Sequence, residues 1–159
     1  MTDLARIDAA TVMRRGVLLL GGVTLAGTTL ELAFLHHWDT ALQAVVWPPV
    51  ALLGVAFALL TVKPGRVGVR VARLLAVSVL AFAAVGIWFH VQENLTAGPL
   101  DRTVGPGWDS MSTLDQWWTA VTGGVGPAPT LAPGVLAEIS LALGIATIRH
   151  PALEPRGNT

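Results

Sequence analysis

The sequence contains no cysteine and carries little charge. Only 13% of its 159 residues are Asp, Glu, Lys or Arg, and the formal net charge at pH 7 is zero, whereas soluble domains carry about 25% charged residues. The missing cysteine excludes disulfide bonds, thiolate metal sites and thiol nucleophiles. The balanced charge leaves no basic surface, so we expect no nucleic-acid partner.

The short motifs of several enzyme classes are also missing. The sequence has no glycine-rich nucleotide loop, no Gly-x-Ser-x-Gly nucleophile elbow and no His-Glu-x-x-His zinc motif. It has no internal repeat of the kind that many transporters are built from. Whether the protein is an enzyme therefore stays open at the level of the sequence.

Long apolar segments dominate what is present. Apolar residues make up 53% of the chain, and a membrane-spanning helix needs about 20 of them in succession. Four segments fit, with Glu31 and Glu138 as the only charged residues inside them: 16–35, 41–62, 74–92 and 131–148. None alternates like a barrel strand, so the sequence predicts an all-α fold, a four-helix transmembrane bundle forming one domain over residues 1–159. In the second segment, Pro48 and Pro49 should kink the helix or move its start to Trp47.

The positive charges orient these segments. Nine of the ten Lys and Arg residues flank one side, and only Arg102 lies in the other loops. Because cytoplasmic loops are enriched in Lys and Arg, we expect both termini to be cytoplasmic. All six Trp residues map to the outer ends of spans or to the outer loop, 93–129, as expected for interfacial indoles. The abundance of Arg, Ala, Val, Leu and Gly favours a bacterial source, and hence the bacterial inner membrane.

The first span has an alternative interpretation. The run from Met13 to Leu19 is similar to a twin-arginine export signal. However, the apolar stretch is long enough to span a membrane, and bulky residues and Glu31 occupy the region where a cleavage site would lie. We therefore favour an anchored first helix.

Two patterns predict finer structure. Residues 97–107 are rich in Gly and Pro and should be irregular, whereas Ser112 to Asp115 resembles a capping box that starts a short interfacial amphipathic helix. The apolar face of this helix would carry Met111, Leu114, Trp118 and Val121. On the third span, one face carries Ala76, Val79, Ala83, Gly86 and His90. Such small residues allow close packing, so His90 should point into the bundle.

Six residues able to bind a metal or move protons are expected near the outer membrane face. They are Glu31, His36 and His37 from the first span, His90 and Glu93 from the third, and Glu138 from the fourth. Carboxylate and imidazole ligands suit a divalent metal held between helices. His90 with His36 or His37 could instead ligate haem, and buried glutamates could carry protons. The structural alternative is that these groups simply bond to water or to neighbouring helices.

Three classes of function follow. The protein could hold a metal or haem at the outer face, or it could be an accessory or assembly subunit of a larger membrane complex. It could also be a membrane enzyme or a proton-coupled carrier. The expected partners are the lipid bilayer and either further copies of the chain or other subunits.

Three short stretches carry a resemblance to a known group of proteins. They are His90-Val91-Gln92-Glu93-Asn94, Leu131-Ala132-Pro133-Gly134 and Arg149-His150-Pro151. Together they resemble a family of small bacterial four-span membrane proteins to which no activity is assigned. The resemblance implies that the third and fourth spans and the loop between them form one unit, and it implies no function.

The orientation is testable because the chain has no background thiol. We expect Asp109→Cys to react with a membrane-impermeant maleimide added outside, and Arg66→Cys to react only after the membrane is permeabilised. Labelling of position 66 from outside, with position 109 protected, would contradict the predicted orientation.

Overall fold

The computed structural model describes residues 9–62 and 64–154, and within these ranges the chain is helical and has no β-strand. The α-helices are α1 (Ala9–Phe34), α2 (Ala41–Ala44), α3 (Trp47–Thr61), α4 (Arg66–Ala97), α5 (Thr113–Val121) and α6 (Gly134–Ala146). Short 3-10 helices cover Gly98–Leu100, Gly105–Ser110 and Pro151–Leu153. The predicted all-α class is confirmed for this part of the chain.

Three helical segments are long and apolar enough to cross a membrane, namely Ala9–Phe34, Ala41–Thr61 and Arg66–Leu100. These are the helices of a membrane protein. The fourth predicted span is represented by α6, which has 13 residues. At about 1.5 Å per residue α6 is about 20 Å long, whereas the hydrocarbon core of a bilayer is about 30 Å thick.

Helix α4 begins well before the predicted span. It starts at Arg66 instead of residue 74, so Arg70 and Arg73 lie on the helix and not in a connection. Lys63, which belongs to the same predicted connection, lies outside the described residues. Arginine stems can cover apolar surface while their heads reach water, so a helix does not have to end where hydropathy falls.

The second span is divided as its prolines predict. Pro48 and Pro49 stand at the start of α3, directly after Trp47, where a helix has no partner for the N–H groups that proline lacks. Helix α2 is a separate turn in which Thr40 and Gln43 form a reciprocal capping box. The apolar stretch 41–62 is therefore two helices.

The chain folds as two compact units. The first unit contains α1, α2, α3, α4 up to Leu80, and the chain from Leu136 onwards, whereas the second contains Ala81–Val135. In the first unit, buried residues recur every three or four positions on three helices: Leu53, Ala56 and Leu60 on α3, Val69, Ala72, Ala76 and Val79 on α4, and Ile139, Leu143 and Ala146 on α6. This spacing is that of helices that pack along one face.

Helix α1 joins the first unit through a glycine. Gly21 is its buried residue, and a Cβ there would lie 3.0 Å from the ring of Phe57 on α3. Close approach of two helices at a small residue is typical of packing inside membranes.

The second unit has its own core. It consists of Val91, Trp108, Ala120 and Val125. The Gly- and Pro-rich segment before α5, which was expected to be irregular, instead forms two 3-10 helices around the Trp108 indole, which lies directly on Gly98. The Trp108 side chain is 5% exposed, so this indole packs inside the second unit and is covered by protein.

Asp101 shapes the turn between these 3-10 helices. Its Oδ1 accepts hydrogen bonds from the backbone N–H of Val104 at 2.9 Å and of Thr103 at 2.8 Å. These bonds stabilise the carboxylate and lower the pKa of Asp101 below its usual range.

Helix α5 begins where the sequence predicts. The Ser112 hydroxyl oxygen accepts a hydrogen bond from the Asp115 N–H at 3.2 Å, which satisfies one of the open donors of the first turn. Leu114 and Trp118 are exposed, as expected for a face that meets the membrane interface. Met111, which was predicted on that face, packs against the core instead.

Two tryptophans connect α4 to α5. The rings of Trp88 and Trp117 lie 5.3 Å apart between centroids, in a tilted arrangement. This separation is typical of favourable aromatic pairs. The pair therefore helps to hold α5 against α4 within the second unit.

The small-residue face of α4 is buried as predicted. Ala76 is 3% exposed, Val79 1% and Ala83 0%. Further along the same face, a Cβ on Gly86 would lie 3.0 Å from the Cβ of Pro133. Gly86 therefore allows Pro133 to approach the helix directly.

We expect Gly86→Leu to lower the free energy of unfolding by about 1–3 kcal/mol, the usual cost of overpacking. The new side chain would overlap Pro133. Gly54→Leu is the matched control, because a Cβ there meets no atom within 4 Å. Thermal unfolding in detergent measures both variants, and equal stability of the two would contradict the close contact.

Candidate functional site

Three of the predicted site residues lie at the end of α1. Glu31 is in the last turn of α1, and its side chain is exposed. His36 follows the helix with a φ of 50°, and its ring meets Trp38 edge-on, with centroids 5.5 Å apart. The carbonyl of the half-buried His37 accepts a hydrogen bond from the Trp47 indole at 2.7 Å. Trp47 thus holds the histidine-bearing segment at the start of α3.

Two more candidates lie on α4 in the second unit. His90 is half-buried, and its Nδ1 lies 2.8 Å from the carbonyl oxygen of Pro129. Because a carbonyl only accepts hydrogen bonds, Nδ1 carries its hydrogen, and Nε2 is the ring atom available to a ligand. Glu93, one turn further along, is exposed.

The last candidate, Glu138, is exposed on α6. The six candidates divide between the units, with Glu31, His36, His37 and Glu138 in the first and His90 and Glu93 in the second. Within residues 9–62 and 64–154, no three His, Asp or Glu side chains form a group that could hold a metal ion. A metal, haem or proton site shared by the six therefore stays a prediction.

The most connected polar side chain of the second unit is Asn94. It is fully buried. Its amide nitrogen donates to the carbonyls of Ala120 at 3.2 Å and Ala128 at 2.9 Å, and to the Thr130 hydroxyl at 3.2 Å. Its Oδ1 accepts from the Ala128 N–H at 3.0 Å. One amide thus ties α4 to the end of α5 and to the segment before α6.

Gly126 completes this contact. Its φ is +81°, and a Cβ at this position would lie 2.6 Å from the Cα of Asn94 and overlap its amide oxygen. Both the left-handed backbone and the close approach require glycine. The loop can therefore reach Asn94 only with this residue here.

The second polar centre lies at the C-terminal end of α6 in the first unit. The Arg14 Nε donates to the carbonyl of Ala146 at 3.0 Å, and its Nη2 to that of Arg149 at 3.4 Å. The Arg73 guanidinium donates to the Thr147 hydroxyl at 2.9 Å and to the Thr147 carbonyl. Cations at this position satisfy open carbonyls and complement the negative end of the helix dipole.

These contacts bring four basic residues to one end of the first unit. Arg14 and Arg73 bind the end of α6 directly, and Arg149 and His150 follow it in the chain. Three of the nine cations that oriented the spans in the sequence, Arg14, Arg73 and Arg149, therefore lie at this end of the first unit. This convergence makes α6 antiparallel to α1 and to α4.

His150 is buried in this cationic surrounding. Its side chain is 6% exposed, and its Nδ1 accepts a hydrogen bond from the Ala152 N–H at 3.2 Å. Burial, followed by the charges of Arg14 and Arg73, lowers the pKa of His150 below its ordinary value of 6.5. The imidazole is therefore neutral at pH 7, with its hydrogen on Nε2.

Comparison of the chain with protein families, with curated proteins and with solved structures finds no match. The assignment of function therefore depends on the geometry of these residues.

The charged residues of the spans were predicted as candidates from the sequence, whereas Asn94 was not. A signal for it existed, because Ile87, Val91, Asn94 and Gly98 fall on one helical face on which Asn94 is the only strongly polar residue. Three of its four hydrogen-bond partners, however, are backbone carbonyl and N–H groups, which do not mark any particular residue type in the sequence. The contacts of Arg14 and Arg73 could not be predicted from the sequence because they too are made mainly with backbone carbonyls.

We expect Asn94→Leu to lower the free energy of unfolding by at least about 2 kcal/mol, because buried groups left unpaired cost about 1–3 kcal/mol each. Thr96→Val, on an exposed position of the same helix, is the control. Tryptophan fluorescence during chemical unfolding measures the change. If the Asn94 variant is as stable as the Thr96 variant, the network does not hold the unit together.

Proposed function

We propose that this protein is an accessory or assembly subunit that binds the transmembrane helices of another membrane protein. In this proposal it crosses the bacterial inner membrane four times, the last time with α6 and the flanking residues of the predicted span 131–148, and both termini are in the cytoplasm. Glu31 and Glu138 then lie in the outer leaflet, on the surface that the partner covers. The convergence of basic residues at one end of the first unit supports this orientation.

The observation that carries the proposal is the exposure of two carboxyl groups on apolar helices. Glu31 lies on α1 and Glu138 on α6, and both side chains are exposed. Ionisable side chains within membrane-spanning helices are costly in contact with lipid, and such residues normally face protein or water. A partner that offers a hydrogen-bond donor or a cation removes this cost.

A second exposed surface points in the same direction. Leu114 is 77% exposed on α5 and Trp118 68%. Together with Val121 they form an apolar face at the side of the second unit that the proposed orientation places outside. This face suits either the membrane interface or a partner at the same level.

The metal-binding alternative is less well supported, because no three of the described candidates form a ligand group. The haem alternative requires His90 to face His36 or His37, and the carrier alternative requires a path for protons through Glu31 and Glu138. These alternatives predict a bound cofactor or a proton flux, whereas the subunit proposal predicts a stable protein complex.

Photo-crosslinking in native membranes tests the proposal. A photoreactive amino acid at Gly27, one turn before Glu31, and at Leu141, one turn after Glu138, should capture another protein. The same amino acid at Val77, which is 64% exposed on α4 and has no acid within one turn, is the control and should capture lipid. Products that contain only lipid, or only a second copy of this chain, would contradict a partner subunit.

Three measurements on the protein solubilised from native membranes strengthen the test. The double variant Glu31→Gln, Glu138→Gln should release the partner on native gels, whereas Glu154→Gln, an exposed acid outside the spans, should not. Elemental analysis and a visible absorption spectrum of the same preparation decide between the alternatives. A stoichiometric metal or a haem band would favour a cofactor protein.

A further inference from the structure

A groove of about 940 Å³ runs along the first unit, with walls from α1, α3 and the segment that follows α6. The polarity of its lining changes along its length. Arg14, Arg15 and His150 line one end, whereas the rest is mostly apolar and includes Leu19, Val23 and Phe57. The groove therefore has the two-part chemistry of an amphiphile.

The apolar part has the length of a lipid chain. From Arg15 to Ala26 the wall follows α1 for eleven residues, which is about 16 Å at 1.5 Å per residue. This part of α1 belongs to a segment apolar enough to cross a membrane. In a bilayer the groove would be surrounded by hydrocarbon, so an acyl chain would fill it.

The charged end favours an anion. None of the described residues that line the groove is acidic. Arg15 is exposed. His150 accepts from the Ala152 N–H through Nδ1, so its Nε2–H is a donor. Guanidinium and imidazole donors without a neighbouring carboxylate suit phosphate oxygens, which form strong charge-assisted hydrogen bonds.

We propose that this groove binds one anionic phospholipid, with the phosphate at Arg15 and His150 and one acyl chain along α1. A zwitterionic lipid also carries a phosphate, but its ammonium group cancels that charge and leaves the cations of the groove without a net counter-charge. A free anion would leave the apolar wall empty. The site is independent of the proposed subunit role. Glu31 lies sixteen residues beyond Arg15, about 24 Å further along the helix.

Native mass spectrometry of the delipidated full-length chain tests the headgroup. We expect one dioleoylphosphatidylglycerol to bind at least about fivefold more tightly than dioleoylphosphatidylcholine, since one cation near an anionic headgroup provides a factor of about five. Arg15→Gln should lower the ratio of phosphatidylglycerol affinity to phosphatidylcholine affinity about fivefold. Arg70→Gln removes the same charge from an exposed position outside the groove and should leave the preference unchanged. Arg14 is kept, because it holds the end of α6.

A second pair of variants tests the apolar wall. Leu19→Trp should fill the groove and weaken phosphatidylglycerol binding severalfold. Leu20→Trp, on an equally accessible neighbour that does not line the groove, should not. Inorganic phosphate at millimolar concentration should fail to displace the lipid. Thermal unfolding of each variant verifies that the fold is retained.

Four results would overturn the proposal. Equal binding of the two lipids would show that the cations do not select the headgroup. Equal losses in Arg15→Gln and Arg70→Gln would show only general attraction to charge. Displacement by inorganic phosphate, or capture of a protein instead of lipid by a photoreactive residue at position 19, would assign the groove to another occupant.

Discussion

The carbonyls at the end of a helix need hydrogen-bond donors, and in an apolar environment these donors must come from the protein itself. In the first unit Arg14 and Arg73 supply them to the end of α6. In the second unit Asn94 supplies them to the end of α5 and to the loop after it. The positions of α6 and α5 therefore depend on three side chains of α1 and α4.

Helix boundaries were predictable where local chemistry sets them. The prolines after Trp47 and the hydroxyl of Ser112 each act on the nearest turn of the chain, and α3 and α5 begin there. The beginning of α4 and the length of α6 were not predictable from hydropathy. Helix α4 extends back to Arg66, since a cation does not prevent helical structure. Helix α6 ends where Arg14 and Arg73, which are distant in the sequence, bind the carbonyls at its end.

The candidate site was predictable only in part. A carboxylate such as Glu31 is conspicuous in an apolar sequence, so its identity can be read directly. Which groups surround it depends on how the helices are packed, and spacing along the chain does not determine this. Asn94 is the opposite case. An amide in a helix is not conspicuous in the sequence, yet here it forms hydrogen bonds with four groups from two other segments.

The shortness of α6 has a consequence for the order of events during synthesis. A helix of 13 residues has little tendency to enter a bilayer alone, because it cannot reach across the hydrocarbon. The ribosome makes α6 after α1 and α4, so in the proposed topology Arg14 and Arg73 already stand at the cytoplasmic ends of two inserted helices when α6 emerges. We therefore expect the last helix to insert by packing against α1 and α4, with Arg14 and Arg73 binding the carbonyls at its C-terminal end.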